Sequence, residues 1–249
     1  MTRPLSITLV FLLSCALFPA QSFAAQDRAE VEARVRADVV QDLAEELQLG
    51  EWITGRACLD GRAAENLPGE VAQYWVNLEC PWCGIREPIM AQRQNPDLCI
   101  VPRHIPSLEY AESMKKALSY EALKVFSVNA ANIFWDKVIP KTYDALPLPY
   151  EASLLLAFQE AAIDPEAFGE ALSNEAADTV NQDIWDAQGR FFMVPTWVLS
   201  GIRFPSGDFT AAQLPVVRDL ARKARAGDKD AQERVITVIT NALMGEPML

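Results

Sequence analysis

Between residues 26 and 48 apolar side chains recur every fourth position. Val31, Val35, Val39, Leu43 and Leu47 stand among charges, with no Gly or Pro in the stretch. This spacing predicts an amphipathic helix. Its stripe has two possible uses, packing on its own domain or pairing with a second copy as a dimerisation arm. From about residue 52 to 106 the period shortens. ITGRACLDG, QYWVNL and LCIVPRHI are short, rich in β-branched and aromatic residues, and bounded by Gly, Pro and Asn. They predict three strands. A helix from Pro81 to about Gln94 separates the last two, so that pair should run parallel.

Residues 107–189 predict helices only. The segments are SLEYAESMKKALSYEALKV, NAANIFWDKVIPKTYDA (interrupted by Pro140), YEASLLLAFQEAA, DPEAFGEALS and NEAADTVNQDIWDAQG. Asp164-Pro165-Glu166 is a helix start with an N-cap and Pro at the first helical position. The strand pattern returns in FFMVPTWVLSGIRFPSG, where TWVLS and IRFPS flank Ser200-Gly201 and predict a hairpin. Helices follow at about Thr210–Ala226 and at Lys229–Met244. The order is β-β-α-β, a helical block, then β-β-α. It describes an α/β protein with a mixed sheet, helices on both faces and a helical insertion.

The chain has 249 residues, half of them apolar, enough for one large domain or a domain with an insertion. A net charge of -12 argues against binding nucleic acid or an anionic membrane surface. The first 24 residues differ from the rest. Arg3 is the only charge before Asp27, and LSITLVFLLSCAL is apolar but too short to span a bilayer. Ser22-Phe23-Ala24 supplies small residues at a cleavage position. We expect a signal peptide over 1–24, cleaved after Ala24, which leaves a mature charge of -13 once Arg3 is gone. The rival is a lipoprotein lipidated at Cys15, but ALFPAQSFA is apolar where such proteins become polar. Without Cys15, four of the five cysteines remain: Cys58, Cys80, Cys83 and Cys99. An even number in an exported chain favours disulfide chemistry.

The candidate chemistry lies in WVNLECPWCGIREPIM, residues 75–90. Cys80 and Cys83 follow a predicted strand and open a predicted helix, with Pro81 in the first turn. Backbone N–H groups at a helix start favour an anion, so the Cys80 pKa should fall below its usual value of about 8.5. The thiolate is the form that attacks disulfides. Cys83, one turn in, would resolve the mixed disulfide. Three rivals remain open: zinc, a permanent disulfide across the C-x-x-C, and a copper-carrying thiol pair. Zinc needs four ligands, and only single candidates remain: Cys58, Cys99 and the lone histidine, His104. His104 reads as structural. Trp52, Trp75, Trp135, Trp185 and Trp197 read as core or interface residues, whereas Trp82 should stay partly exposed near the thiols.

Over about residues 52–226 the chain resembles the thioredoxin superfamily, and its helical insertion and exported setting resemble the DsbA-like branch. The resemblance rests on W-V-N-L-E-C-P-W-C before a helix, on Pro88 where that helix is often kinked, and on Val194-Pro195-Thr196 before a strand. It implies a thioredoxin-like mixed sheet over 51–106 and 190–226, with an inserted helical domain over 107–189. The amphipathic helix at 25–50 and a last helix at 227–249 flank this unit. It also implies Cys80 as nucleophile and Cys83 as resolving thiol, with Pro195 cis and Val194, Pro195 and Thr196 facing a bound peptide. Cys58 and Cys99 would form a structural disulfide between neighbouring strands, closing about 40 residues and adding roughly 3–4 kcal/mol. Many thioredoxins bury an acid six residues before the first Cys; here the position holds Tyr74. Some strongly oxidising members carry His where Trp82 stands. Glu79 would raise the Cys80 pKa, and Arg86 could oppose it, so Pro81, Trp82 and Glu79 are the residues expected to modulate the pair.

The activity implied is an exported, periplasmic thiol–disulfide oxidoreductase needing no cofactor beyond the Cys80–Cys83 disulfide and no metal. Its partners would be unfolded or cysteine-containing exported proteins and a membrane redox partner. Alternatives are a dimeric isomerase or reductase, a non-catalytic thioredoxin-like chaperone, or a metal-thiol carrier.

Overall fold

The computed structural model describes residues 27–45, 53–67, 71–85, 87–107, 110, 112–140, 146–188, 193–205 and 209–247. The expected signal peptide with Cys15, and also Trp52 and Arg86, lie outside these residues.

Four strands, β1 (Val71–Val76), β2 (Cys99–His104), β3 (Thr196–Leu199) and β4 (Ile202–Pro205), form one mixed sheet in the order β2-β1-β3-β4. β1 runs parallel to β2, with Val71 opposite Cys99 and Val76 opposite His104. β3 is antiparallel to both β1 and β4. Every residue of β1 and β2 is buried, as strands covered on both faces require. Alternation sends Ala72, Tyr74, Val76, Ile100, Trp197 and Leu199 into the main core. Trp75 and Val198 point to the opposite face. Ser200 (φ 49°) and Gly201 (φ 76°) both adopt positive φ, as a two-residue turn matched to the strand twist demands.

The first predicted strand, around Cys58, is not formed. The segment closes on itself instead: Ala57 bridges Ala63, the Cys58 amide donates to the Arg62 carbonyl at 2.8 Å, and Ala64 to Arg56 at 2.9 Å. Gly55 (φ 70°) and Gly61 (φ 88°) bend the chain too often for a strand. One backbone bond, Leu59 N–H to the Ile100 carbonyl at 2.9 Å, ties the segment to β2. The Cys58–Cys99 disulfide (Cα–Cα 5.1 Å) fastens it there, although Cys58 lies in no strand.

The N-terminal helix α1 (Arg28–Ala44) buries Val31, Val35 and Val39. It packs on α10 (Lys229–Met244) and β4 of its own chain. Arg36 bridges Glu233, and Asp42 accepts from the Arg203 backbone (2.9 Å) and guanidinium (2.7 Å). Val31, Val35 and Val39 of the stripe that suggested a dimerisation arm are therefore covered from within; Leu47 lies outside the described residues.

The predicted helix at Pro81–Gln94 is two helices, α2 (Pro81–Ile85) and α3 (Pro88–Gln94). Glu87 between them is left-handed (φ 42°), and Pro88, which has no N–H to donate, starts the second. Helices α4 (Ser113–Phe126), α5 (Val128–Val138), α6 (Tyr150–Ala161), α7 (Pro165–Ser173) and α8 (Glu175–Ala187) lie between β2 and β3 in the sequence. α9 (Leu214–Arg225) begins after a turn at 211–213 rather than at Thr210. Trp75, Trp135 and Trp197 are core residues; Trp185 is 69% exposed, so of the core and interface readings the core one does not hold for it.

α8 holds the sheet through a buried charge cluster. Asp183 accepts from the Arg103 guanidinium, from Arg56 at 2.7 Å and from the His104 backbone N–H at 2.7 Å. Asp186 takes the other end of Arg103.

Candidate functional site

β1 delivers the chain at the sheet end where Val76 pairs with His104, and the next four residues form the turn to Cys80. Asn77 builds that turn. Its Oδ1 accepts from the Glu79 N–H at 2.9 Å and from Ser113 Oγ at 2.9 Å, and the Cys80 N–H donates to its carbonyl at 3.0 Å. The Asn side chain thus replaces a backbone turn bond and joins the turn to α4.

Cys80 and Cys83 are both thiols. Cys80 is 7% exposed and Cys83 wholly buried, so Cys80 is the more accessible sulfur. Cys80 Sγ lies 3.8 Å from the Val194 carbonyl, which accepts from it. The Val194–Pro195 bond is cis, and Thr196 Oγ1 donates to the Met193 carbonyl at 2.9 Å across this loop. Two segments more than a hundred residues apart therefore meet at the sulfur. Trp82, between the cysteines, is 50% exposed. Pro81 opens α2.

Tyr74 occupies the position where many thioredoxins bury an acid. Its hydroxyl donates to the Cys83 carbonyl at 2.7 Å. The Glu87 N–H, the usual i+4 donor to Cys83, goes to Gly84 instead at 3.2 Å. Tyr74 reaches the Cys83 carbonyl from the sheet, packed on Trp197 at 4.5 Å between ring centroids. Gly84 is needed for a different reason: a Cβ there would lie 1.8 Å from the Pro140 carbonyl oxygen.

Glu79 turns toward α4. Lys116 Nζ lies 3.2 Å from its Oε1, and the Glu112 N–H donates to its Oε2 at 3.2 Å. Lys116, a residue sequence reasoning passed over, supplies Glu79 with a counter-cation; Arg86, expected to oppose Glu79, lies outside the described residues. Helical spacing marked Lys116 only as one of the polar residues of α4.

His104 is buried, with Nε2 2.9 Å from Glu121 Oε1, and Lys124 bridges the other carboxylate oxygen at 2.8 Å. Burial alone would raise the Glu121 pKa; Lys124 and His104 overcome it and hold the carboxyl well below the usual range. Cys58 and Cys99 are consumed by their disulfide and His104 by this network. Among the described residues no cluster of three or more His, Cys, Asp or Glu could hold a metal.

A strand leading to a C-x-x-C, a short helix, a parallel strand, a helical block and a proline loop against the first sulfur define a thioredoxin-like fold with the helical insertion of DsbA-like proteins. Comparison with solved structures agrees. A linker-deletion variant of ScsC from Proteus mirabilis aligns over 80% of this chain and 89% of its own, with TM-score 0.56 and 16% identity. The thiol-disulfide exchange protein α-DsbA2 from Wolbachia pipientis aligns over 80% of this chain and 100% of its own, with TM-score 0.52 and 15% identity. No protein-family profile and no curated protein matches the sequence.

Proposed function

We propose that the chain is an exported thiol–disulfide oxidoreductase acting through Cys80 and Cys83. One observation carries this: Cys80, the more accessible sulfur, sits at a strand-to-helix turn and faces the Val194 carbonyl, with a second thiol buried one turn behind it. In the reducing direction the Cys80 thiolate attacks a substrate disulfide; one S–S bond forms, one breaks, and a substrate thiolate leaves. Cys83, as thiolate, then attacks the Cys80 sulfur and releases the second substrate thiolate, so two electrons pass to the substrate. Oxidation runs the same steps backwards. The direction follows the potential of the pair against its partner.

Val194, Pro195 and Thr196 line the place where a mixed-disulfide peptide would lie, and exposed Trp82 gives it an apolar flank. Folding proteins that carry cysteines suit such a site. Each turnover leaves the pair in the opposite redox state, so a second partner, at the membrane of an exporting cell, must reset it. Two features favour a periplasmic setting: the apolar, signal-like residues 1–24, and the Cys58–Cys99 disulfide, a bond that persists in oxidising compartments. No described helix is long and apolar enough to cross a membrane.

The test is catalysis of insulin reduction and of refolding of a scrambled disulfide substrate. Cys80→Ala should abolish both. Full activity in that variant in either assay would remove the catalytic reading.

A further inference from the structure

The residue before the reactive cysteine is an acid, a poor neighbour for a thiolate. We propose that Lys116 is a positioning residue for the exchange reaction: it binds Glu79 in an ion pair that screens the carboxylate from the Cys80 thiolate. The inference rests on the exchange reading of Cys80 given above.

The pair is out of most of the solvent. The Lys116 side chain is 8% exposed and that of Glu79 18%. Charges so placed act on one another far more strongly than at a wet surface. Among the described residues the neighbouring charges are few. Lys116 also lies 3.9 Å from Glu112 Oε2. Lys115 Nζ lies 3.6 Å from Glu112 Oε1 and 3.3 Å from Glu151. Lys116 is thus the cation between the carboxylates of Glu79 and Glu112. The geometry is fixed from both ends. The Glu79 N–H donates to Asn77 Oδ1, and Ser113, three residues before Lys116 on α4, donates to the same oxygen. The Glu79 backbone is thus tied to the start of α4, and the Glu112 N–H holds its carboxylate there at 3.2 Å.

Removing the ammonium leaves the Glu79 charge uncompensated one residue from the sulfur, and the thiolate becomes harder to form. Removing the carboxylate takes away the acid next to the sulfur and leaves Lys116 with Glu112 alone, and the thiolate becomes easier to form. A purely structural role would not reverse sign between the two variants.

The experiment follows the pH dependence of Cys80 alkylation by iodoacetamide in the reduced full chain, in which the thiolate displaces iodide. Mass mapping confirms the modified residue. Lys116→Met should raise the Cys80 pKa by about one unit, a roughly ten-fold loss of thiolate near pH 7. Glu79→Gln should lower it. The double variant should return to within about 0.3 of the starting value. Lys116→Arg, which preserves the charge, should leave it in place and shows that position 116 tolerates change. The proposal is overturned if Lys116→Met leaves the pKa unmoved, if both single variants shift it the same way, or if the double variant remains shifted. Alkylation needs no substrate protein. An inactive wild-type chain would remove the proposed function without touching this result, and a null result here would leave catalysis intact.

Discussion

Replacing both Cys58 and Cys99 by Ala should cost the folded chain about 4 kcal/mol. The bond closes a separation of 41 residues. In the chain-entropy treatment that removes about 13 cal/mol/K from the unfolded ensemble, or about 4 kcal/mol at room temperature. The fold adds a reason to expect the full amount. The segment at 53–67 has one bridge pair and no strand, and among its contacts with β2 is a single backbone bond, Leu59 to Ile100. Its small core with Ile53, Ala64, Val71 and Val101 is built around the two sulfurs. Both are buried, so truncation also removes apolar contacts there. The assay is urea denaturation followed by tryptophan fluorescence, with Cys80→Ala/Cys83→Ala as the control for losing two cysteines elsewhere. The Cys58/Cys99 variant should show a lower midpoint, with a slope equal to or steeper than the parent's because its unfolded chain is less compact, and reductant should bring the parent toward it. A loss under about 1 kcal/mol would refute the reasoning, since the segment would then be held by packing alone.

Three further outcomes follow from the contacts. Gly84→Ala should destabilise by about 2–3 kcal/mol or more in thermal unfolding, because a Cβ 1.8 Å from the Pro140 oxygen forces α2 from the end of α5; iodoacetamide labelling of Cys83 should rise with it. Asp183→Ala should cost about 3–5 kcal/mol in urea, since it removes the carboxylate shared by the buried guanidinium groups of Arg103 and Arg56 and leaves Arg103 with Asp186. Burial pushes the Asp42 carboxyl up to about 6 against the pull of Arg203. The native state thus holds that proton more tightly than the unfolded chain, and its contribution is complete below about pH 4 and lost as pH rises through about 6. Relative to Asp42→Asn, the parent should therefore lose on the order of 2 kcal/mol between these pH values, measured by chemical denaturation in matched buffers.

Local rules made most of the elements legible. Lys229–Met244 was readable to the residue because Asp228 caps it and Gly245 ends it in a left-handed turn. Ser200-Gly201 marked the hairpin because so few residue pairs accept two positive φ values. Cys80 and Cys83 were visible from spacing alone. What failed depended on distant partners. The run around Cys58 has strand composition, but its turns and disulfide compete with the ladder, and the ladder loses. Trp185 read as core or interface by residue type; it is not core, because its helix turns Asp183 inward, where two buried arginines meet that carboxylate. The break between α2 and α3 is foreshadowed by Pro88, but the left-handed Glu87 is not, since nothing in a Glu favours that conformation.

The helical block is part of the site. α4 supplies Ser113 to the turn before Cys80, Lys116 to Glu79 and Glu121 to His104. The chain just after α5 supplies Pro140, whose carbonyl allows only glycine after Cys83. Tyr74, placed by the sheet, donates to the Cys83 carbonyl. The two cysteines are thus held from the sheet side by a hydroxyl and from the helical side by the Lys116 ammonium on Glu79, a hydroxyl and a backbone carbonyl. A sheet alone would fix where Cys80 sits; the charge it experiences comes from α4. Changes at the α4 start should accordingly move the chemistry of the pair more than they move stability, whereas changes at α8 should do the reverse.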